Sequence, residues 1–429
     1  MEQQQQFLRR SMRQLNLTRD ALAQRISVKK RALDSWLLPA ESNEFRVMPS
    51  IVQQFLSEMV GPPDSTEEYT QSVHSDSFFD PERPALLSVE QFSRDTVGEV
   101  FRVARMLEPI ARRQKTTDVL HGAVLGNLFF EASTRTRVSF GAAFCRLGGS
   151  VCDTTGFTFS SMAKGESIYD TSRVISGYVD ALVVRHPEQG SVAEFGRATN
   201  VPLINAGDGP GEHPTQALLD LYTIEREFSR SARAIDGCHI VMAGDLRFGR
   251  TVHSLIKLLS LYRDLRITLI APTVLQMPST IVELVRERGH RVTQLDTLPA
   301  SLKDADVLYA TRLQRERFTQ ELGEGFSQSY QIDLATVNAV CGSHTIIMHP
   351  LPRDARDNAR DLSNDLNHDA RLAIFRQTDN GIPIRMALFS MMLGVDHLIA
   401  ASMRHARWKK PAFIGPDDAS FAGLAQFTR

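Results

Sequence analysis

Seven short apolar runs dominate the chain between about residues 86 and 400: VLGNLFFE, DALVVRH, VPLINAG, CHIVMAGD, RITLIAP, DVLYAT and HTIIMHP. Each has the length of a strand and is rich in β-branched or aromatic residues, and turn-forming or polar residues follow it. Stretches of helical periodicity separate them, among them HPTQALLDLYTIEREF, GRTVHSLIKLLSLY and TIVELVRERG. Parallel strands need crossovers of that size. The pattern therefore predicts an α/β chain with two doubly wound parallel-sheet domains rather than one very large sheet. In such sheets ligands bind beyond the carboxyl ends of the strands, so the residues after each run are the candidates for chemistry.

Composition narrows the partners. With 49 Lys and Arg against 50 Asp and Glu, the net charge is −1, and no global field draws the chain to nucleic acid or to an anionic membrane. A hydrophobic content of 42% with 23% charged residues excludes disordered and collagenous classes. No apolar run reaches the roughly 18 residues that span a bilayer, and MEQQQQFLRR lacks the apolar stretch of a secretory signal. Cys145, Cys152, Cys238 and Cys341 show neither CxxC nor His/Cys spacing. The expectation is free thiols in a reducing cytoplasm, with no metal and no cofactor.

Residues 7 to 60 read as helical throughout, with Leu8, Leu15, Leu22, Ile26, Leu33, Trp36 and Leu37 recurring mostly at three, four or seven. Residues 61–84, with prolines at both ends and almost no aliphatic residue, read as a linker. The tail 401–429 carries Arg404, Arg407, Lys409 and Lys410 and has too little apolar surface for a core of its own.

The strongest chemical signal is Phe129 to Arg137, FFEASTRTR, a strand end passing through hydroxyl residues into a helix. Backbone N–H groups at a helix start favour an anion. Ser133, Thr134 and Thr136, with the guanidinium groups of Arg135 and Arg137, make that anion a phosphate. Arg185 ends a second strand and could meet the same anion. A third strand end leads to His213 and Gln216, three residues apart on one face of a first helical turn. Taken alone, HPTQ is an ordinary capped helix start; after two anion-ready strand ends it reads as part of the site. In the second half, GDLRFGR follows a strand but lacks GxGxxG spacing, so Arg250 suits a carboxylate better than a pyrophosphate. Arg312 and Gln314 follow DVLYA, and Pro350 and Leu351 lie in HPLPR, where rigid prolines would fix carbonyls to accept from an NH-bearing ligand. Paired carboxylates, a nucleophilic Ser or Cys and a Walker loop are all missing from these motifs. The set suits transfer from a small phosphorylated donor to an acidic acceptor.

FFEASTRTRVSF, KGES, VVRHPEQG, NAGDGPGEHPTQALLDLYTI, GDLRFGRTVHSL, TRLQRERF and MHPLPR together resemble, in order, the motif series of the aspartate carbamoyltransferase catalytic chain. The resemblance covers about residues 86–400. HPLPR, where ornithine enzymes have a cysteine after the histidine, and TRLQ with GRTVHS point to aspartate as acceptor. It implies a carbamoyl phosphate-binding domain at 85–225, an aspartate-binding domain at 226–375 and a helix at 376–400 returning to the first domain. It also implies attack by the aspartate amino group on carbamoyl phosphate, in pyrimidine biosynthesis. Ser133, Thr134, Arg135, Thr136 and Arg185 would then hold the phosphate. Thr136, Arg185 and His213 would bond the carbonyl oxygen, and Gln216 with the carbonyls of Pro350 and Leu351 would hold the carbamoyl amino group. Arg250, Arg312 and Gln314 would grip aspartate. By the same resemblance, Ser160 and Lys164 belong to a loop that enters the adjacent subunit's site, so a trimer, or a dimer of trimers, is implied, with a regulatory or dihydroorotase-like partner as a further option. Two departures from the family pattern are Gly141, expected to loosen its helix at about 1 kcal/mol, and Ala163, where some relatives have a second lysine.

Thr18 to Trp36 resembles the helix-turn-helix of lambda-repressor-like domains, with Leu22, Ala23, Val28, Leu33 and Trp36 core-like and Lys29, Lys30 and Arg31 opening the second helix. Ser27 stands where such turns usually have Gly. Residues 1–60 carry nine Lys or Arg against six Asp or Glu, 9 − 6 = +3, a modest charge for a DNA binder. Assembly or contact with a partner subunit is the favoured role for this module (1–60). Three readings of the whole chain follow: an aspartate carbamoyltransferase with an added module, a carbamoyltransferase for another amino acid, and a DNA-binding regulator that senses the substrates.

Overall fold

A computed structural model of the chain describes residues 4, 7–8, 11–12, 17–38, 42–60, 84–155, 165–312, 331–353 and 361–408. They fall into two compact units, Met1–Ser75 and Asp76–Arg429.

The first unit contains helices α1 (Arg19–Arg25), α2 (Lys30–Trp36) and α3 (Ser50–Val60). Thr18 caps α1, its hydroxyl accepting from the Ala21 N–H at 3.3 Å. Leu22, Ala23, Leu33 and Trp36 are buried with Leu8, Met48 and Leu56, and Val28 packs against them. The expected unbroken helicity over 7–60 does not hold. Ser27 is left-handed at φ +55° between α1 and α2, and Pro49 keeps the residue before it from helical geometry ahead of α3. Short helices sharing one core reproduce the apolar spacing of a single long one.

The strands of the second unit are β1 (Ala85–Leu86), β2 (Lys115–Thr116), β3 (Val124–Phe129), β4 (Ser150–Thr155), β5 (Ala181–His186), β6 (Leu203–Asp208), β7 (His239–Ala243), β8 (Arg266–Ile270), β9 (Arg291–Leu295), β10 (Val307–Ala310), β11 (Ile346–Met348) and β12 (Arg404–His405). Its main helices are α4 (Arg94–Ala111), α5 (Thr134–Arg146), α6 (Ile168–Ser176), α7 (Ser191–Ala198), α8 (Pro214–Ser229), α9 (Arg250–Leu259), α10 (Ser279–Glu287), α11 (Leu334–Val340) and α12 (Ile374–Met392). Two five-stranded sheets, in the orders β1-β6-β5-β3-β4 and β11-β10-β7-β8-β9, are parallel at every pairing. All seven apolar runs form strands. The edge strands β4 and β9 went unforeseen because SVCDTT and RVTQL are mostly polar, as edges with a wet face are.

The strand orders fix where ligands can sit. In the first sheet the chain runs from β3 to β4 on one side and then crosses to β5 on the other, opening a crevice at the carboxyl ends of β3 and β5. In the second sheet the same reversal falls between β7 and β10. FFEASTRTR and Arg185 follow the first pair, and GDLRFGR and Thr311-Arg312 the second. A core cluster containing residues of both sheets underlies them. The long helix α12 packs on α5, with Phe389 lying 6.0 Å from Phe140 and 5.0 Å from Phe144, centroid to centroid.

Helix α5 is continuous through Gly141. Phe140, Ala143 and Phe144 bury its inner face, and a Cβ at Gly141 would lie 3.9 Å from Val151, an ordinary contact. Packing outweighs the intrinsic penalty of one glycine. Among the described residues no single helix is long and apolar enough to cross a membrane. All four cysteines are free thiols.

Candidate active site

At the first crevice, Ser133 precedes α5 without capping it. Its hydroxyl instead donates to Thr136 Oγ1 at 2.9 Å, so no side-chain cap occupies the first turn of the helix. Arg135 follows. Burial, and then the field of Arg312, lower the pKa of its guanidinium. Arg312 follows β10 in the other sheet, so a cation of one half acts on a cation of the other, and an anion between them would relieve both.

Arg185, at the end of β5, and Arg250, opening α9, are each 8% exposed. Arg185 donates to the Ala206 carbonyl at 3.2 Å and lies 2.8 Å from Glu131 Oε2. Arg250 donates to the Gly209 carbonyl, and its second terminal nitrogen is 3.7 Å from the same Glu131 oxygen. Gly207, at φ +132°, packs against both: a Cβ there would sit 2.9 Å from Arg185 Nη1 and 3.3 Å from Arg250 Nη2. Only glycine lets the two guanidinium groups settle there. Sequence reasoning gave Glu131 no role. The signal was present, since two arginines withdrawn from water, one from each sheet, need a counter-charge, and Glu131 is the acid inside the first motif.

His213 is buried at the start of α8, with its backbone N–H 3.4 Å from Ser254 Oγ. Burial first, and then Arg250, Arg185 and Arg385, hold its imidazole well below the usual range. It is therefore neutral, with one N–H to donate, and its Nδ1 has no hydrogen-bond partner. One turn on, Gln216 donates from Nε2 to Asp220 at 2.9 Å. Asp220 is fully buried. Burial pushes its carboxyl up to about 7, against the opposing pull of the donors Tyr309, Gln377 and Gln216.

The HPLPR segment is organised by its histidine rather than by its prolines alone. His349 is buried; Nε2 lies 2.9 Å from Asp361, and Nδ1 accepts from the Leu351 N–H at 2.9 Å. That bond steadies Leu351 at φ +57°, a conformation costing a non-glycine residue about 1–3 kcal/mol. The His349 N–H in turn donates to Gln377 Oε1 at 3.1 Å. The structure thus brings Arg185, Arg250, His213 and Glu131 together and puts Arg135 in the field of Arg312. It joins Gln216 to Pro350 and Leu351 through intermediates. Ser160, Lys164 and Gln314 lie outside the described residues.

Residues 85–226 match the family model described as aspartate/ornithine carbamoyltransferase, carbamoyl-P binding domain, and residues 236–392 match its Asp/Orn binding domain. The chain belongs to the aspartate/ornithine carbamoyltransferase family. A relative named aspartate carbamoyltransferase catalytic subunit, from Dichelobacter nodosus, is 54% identical over 340 residues, covering 79% of this chain and 98% of its own length. One of the same name from Methanococcoides burtonii is 41% identical over 72% of this chain and 97% of its own length. Among solved structures, aspartate transcarbamoylase from Trypanosoma cruzi in complex with carbamoyl phosphate and aspartate is similar at TM-score 0.66 and 38% identity, covering 72% of this chain and 96% of that one. In the carbamoyltransferase frame the β3/β5 crevice falls in the carbamoyl-P segment, and Arg250 and Arg312 fall in the Asp/Orn segment. Residues 1–84 precede both matches.

Proposed function

We propose that this chain is an aspartate carbamoyltransferase. The α-amino group of L-aspartate attacks the carbamoyl carbon of carbamoyl phosphate; a C–N bond forms, the C–O bond to phosphate breaks, and the amine loses a proton. N-carbamoyl-L-aspartate and phosphate are released, a step that serves pyrimidine biosynthesis. The observation that carries the reading is the pair of cationic crevices at the two switch points, with Arg135 of one in the field of Arg312 of the other. One donor anion and one acidic acceptor satisfy them. Near-full-length relatives named for aspartate set the acceptor.

The roles of individual residues belong to the same proposal. Ser133, Thr134, Arg135, Thr136 and Arg185 take the phosphate. Neutral His213, with Thr136 and Arg185, donates to the carbonyl oxygen as negative charge grows there. A neutral imidazole suits this role, because it offers an N–H without adding a fourth charge beside Arg185, Arg250 and Arg385. Gln216 and the carbonyls of Pro350 and Leu351 accept from the carbamoyl amino group. Arg250, Arg312 and Gln314 take the aspartate carboxylates, and Lys164 and Ser160 complete the site from a neighbouring subunit. Arg312→Ala is expected to raise the KM for aspartate by at least tenfold, the value of one lost charge-assisted bond, with little change for carbamoyl phosphate. An unchanged aspartate KM would remove Arg312 from the acceptor site.

Sharing between subunits makes a homotrimer, alone or paired, the active form. Val138, Tyr169, Val174 and Tyr178 support it, being large apolar residues left exposed on or just after α5 and α6, the helices flanking 156–164 in sequence. Mixing inactive Arg135→Ala and Lys164→Ala subunits should restore part of the activity through hybrid sites. No recovery after proven subunit exchange would contradict sharing.

For the N-terminal unit we propose assembly contact rather than DNA binding, in a protein that works in the cytoplasm. The turn at Ser27 supports the helix-turn-helix likeness, but Lys30, one of the charges that would meet phosphates, is paired within the unit. Lys30 lies 2.7 Å from Asp20, and Arg19 lies 3.6 Å from Asp34. Duplex DNA of mixed sequence should not bind at low salt; binding that weakens steeply with salt would establish the DNA reading.

A further inference from the structure

We infer that Asp220 is a positioning residue that orients both halves of the carbamoyl amino-group clamp, Gln216 on one side and the Pro350-Leu351 carbonyls on the other. The inference deepens the proposed function and rests on its assignment of that clamp. Asp220 takes three donors from three segments. Gln216 Nε2 in α8 and Gln377 Nε2 in α12 both donate to Oδ1, at 2.9 and 2.6 Å, and the Tyr309 hydroxyl from β10 donates to Oδ2 at 2.7 Å. Arg385 adds a positive field.

Three donors converge on the two Asp220 oxygens, and an oxygen that accepts fixes which way an amide faces. Both glutamines must turn NH2 toward Asp220, and each then keeps its oxygen for something else. For Gln377 that oxygen accepts from the His349 N–H, and His349 holds the Leu351 N–H. For Gln216 the oxygen remains as an acceptor, which is what a carbamoyl NH2 requires. Were the Gln216 amide reversed, it would present a donor to a donor. Tyr309 extends the arrangement toward the acceptor side, since Thr251, next to Arg250, acts on its hydroxyl. Gln216 is one helical turn from Asp220, but the other two links are long-range: Asp220 is 89 residues from Tyr309 and 157 from Gln377.

The test compares two donors on the full-length oligomer. Carbamoyl phosphate carries NH2 where acetyl phosphate carries a methyl group, so their relative affinity reads the clamp and is insensitive to a general loss of folded protein. With Asp220→Ala, the preference for carbamoyl over acetyl phosphate should fall by about tenfold, the worth of one net hydrogen bond. Asp220→Asn should recover most of it. Its Oδ1 can still accept from both glutamines while its NH2 faces the Tyr309 oxygen. If Asp220→Ala does not assemble, Gln377→Leu cuts the same link to His349 and should lower the preference likewise. An unchanged preference in these variants, or an Asn variant as poor as Ala, would overturn the inference. Gln216→Leu separates the levels. If it leaves the preference intact, the clamp assignment itself fails; if it lowers the preference while Asp220→Ala does not, only the role of Asp220 fails.

Discussion

His213→Ala is expected to lower kcat by about 100- to 1000-fold, the range for removing a donor to a developing oxyanion. The KM for carbamoyl phosphate should change far less, because the ground-state carbonyl carries little charge to lose. The sign of the pH dependence follows from the burial of the imidazole. Its pKa lies well below 6.5, so it is neutral throughout pH 6.5 to 8.5, and the ratio of the two rates should stay flat over that range. A loss that appears only on the acid side would mean that an imidazolium acts instead. Equal losses in kcat and in donor affinity would make His213 a binding residue.

Glu131→Ala should be nearly as damaging, although Glu131 is assigned to neither substrate. Its carboxylate stands between Arg185 and Arg250, one from each sheet. Without it two poorly solvated cations face each other. Breaking a buried pair costs about 3–5 kcal/mol, and the partial exposure of Glu131 reduces that figure. The surviving arginines then repel, and a displacement of about 1 Å is enough to lose on the order of 100-fold in rate. We expect that loss in kcat/KM for aspartate, with partial recovery in Glu131→Gln, which can still accept from one guanidinium. Unaltered aspartate kinetics in Glu131→Ala would show that the two arginines need no common counter-charge.

What could be read beforehand, and what could not, divides along the range of the interactions. The central strands were legible because burial on both faces demands continuous apolar runs; β5 is buried along its whole length. Arg185, His213, Arg250 and Arg312 were legible because each lies just past such a run, where the strand order places ligands. Edge strands β4 and β9 carry no such demand. Asp220 was invisible for a different reason. It lies within an apolar helix, where an acid reads as a solvated face, and apart from Gln216 one turn away its partners are set by tertiary packing. His349 was read as a neighbour of rigid prolines, whereas its ring is what holds the Leu351 backbone. In the N-terminal unit, three or more short helices around one core produced a periodicity that cannot register the left-handed Ser27 between them.

The most direct test of the central claim is the mass of the product formed when the purified full-length chain meets carbamoyl phosphate with equal concentrations of L-aspartate and L-ornithine. The account predicts N-carbamoyl-aspartate and one phosphate for each carbamoyl group transferred. Carbamoylation of ornithine, or of neither amine by a correctly assembled oligomer, would contradict it.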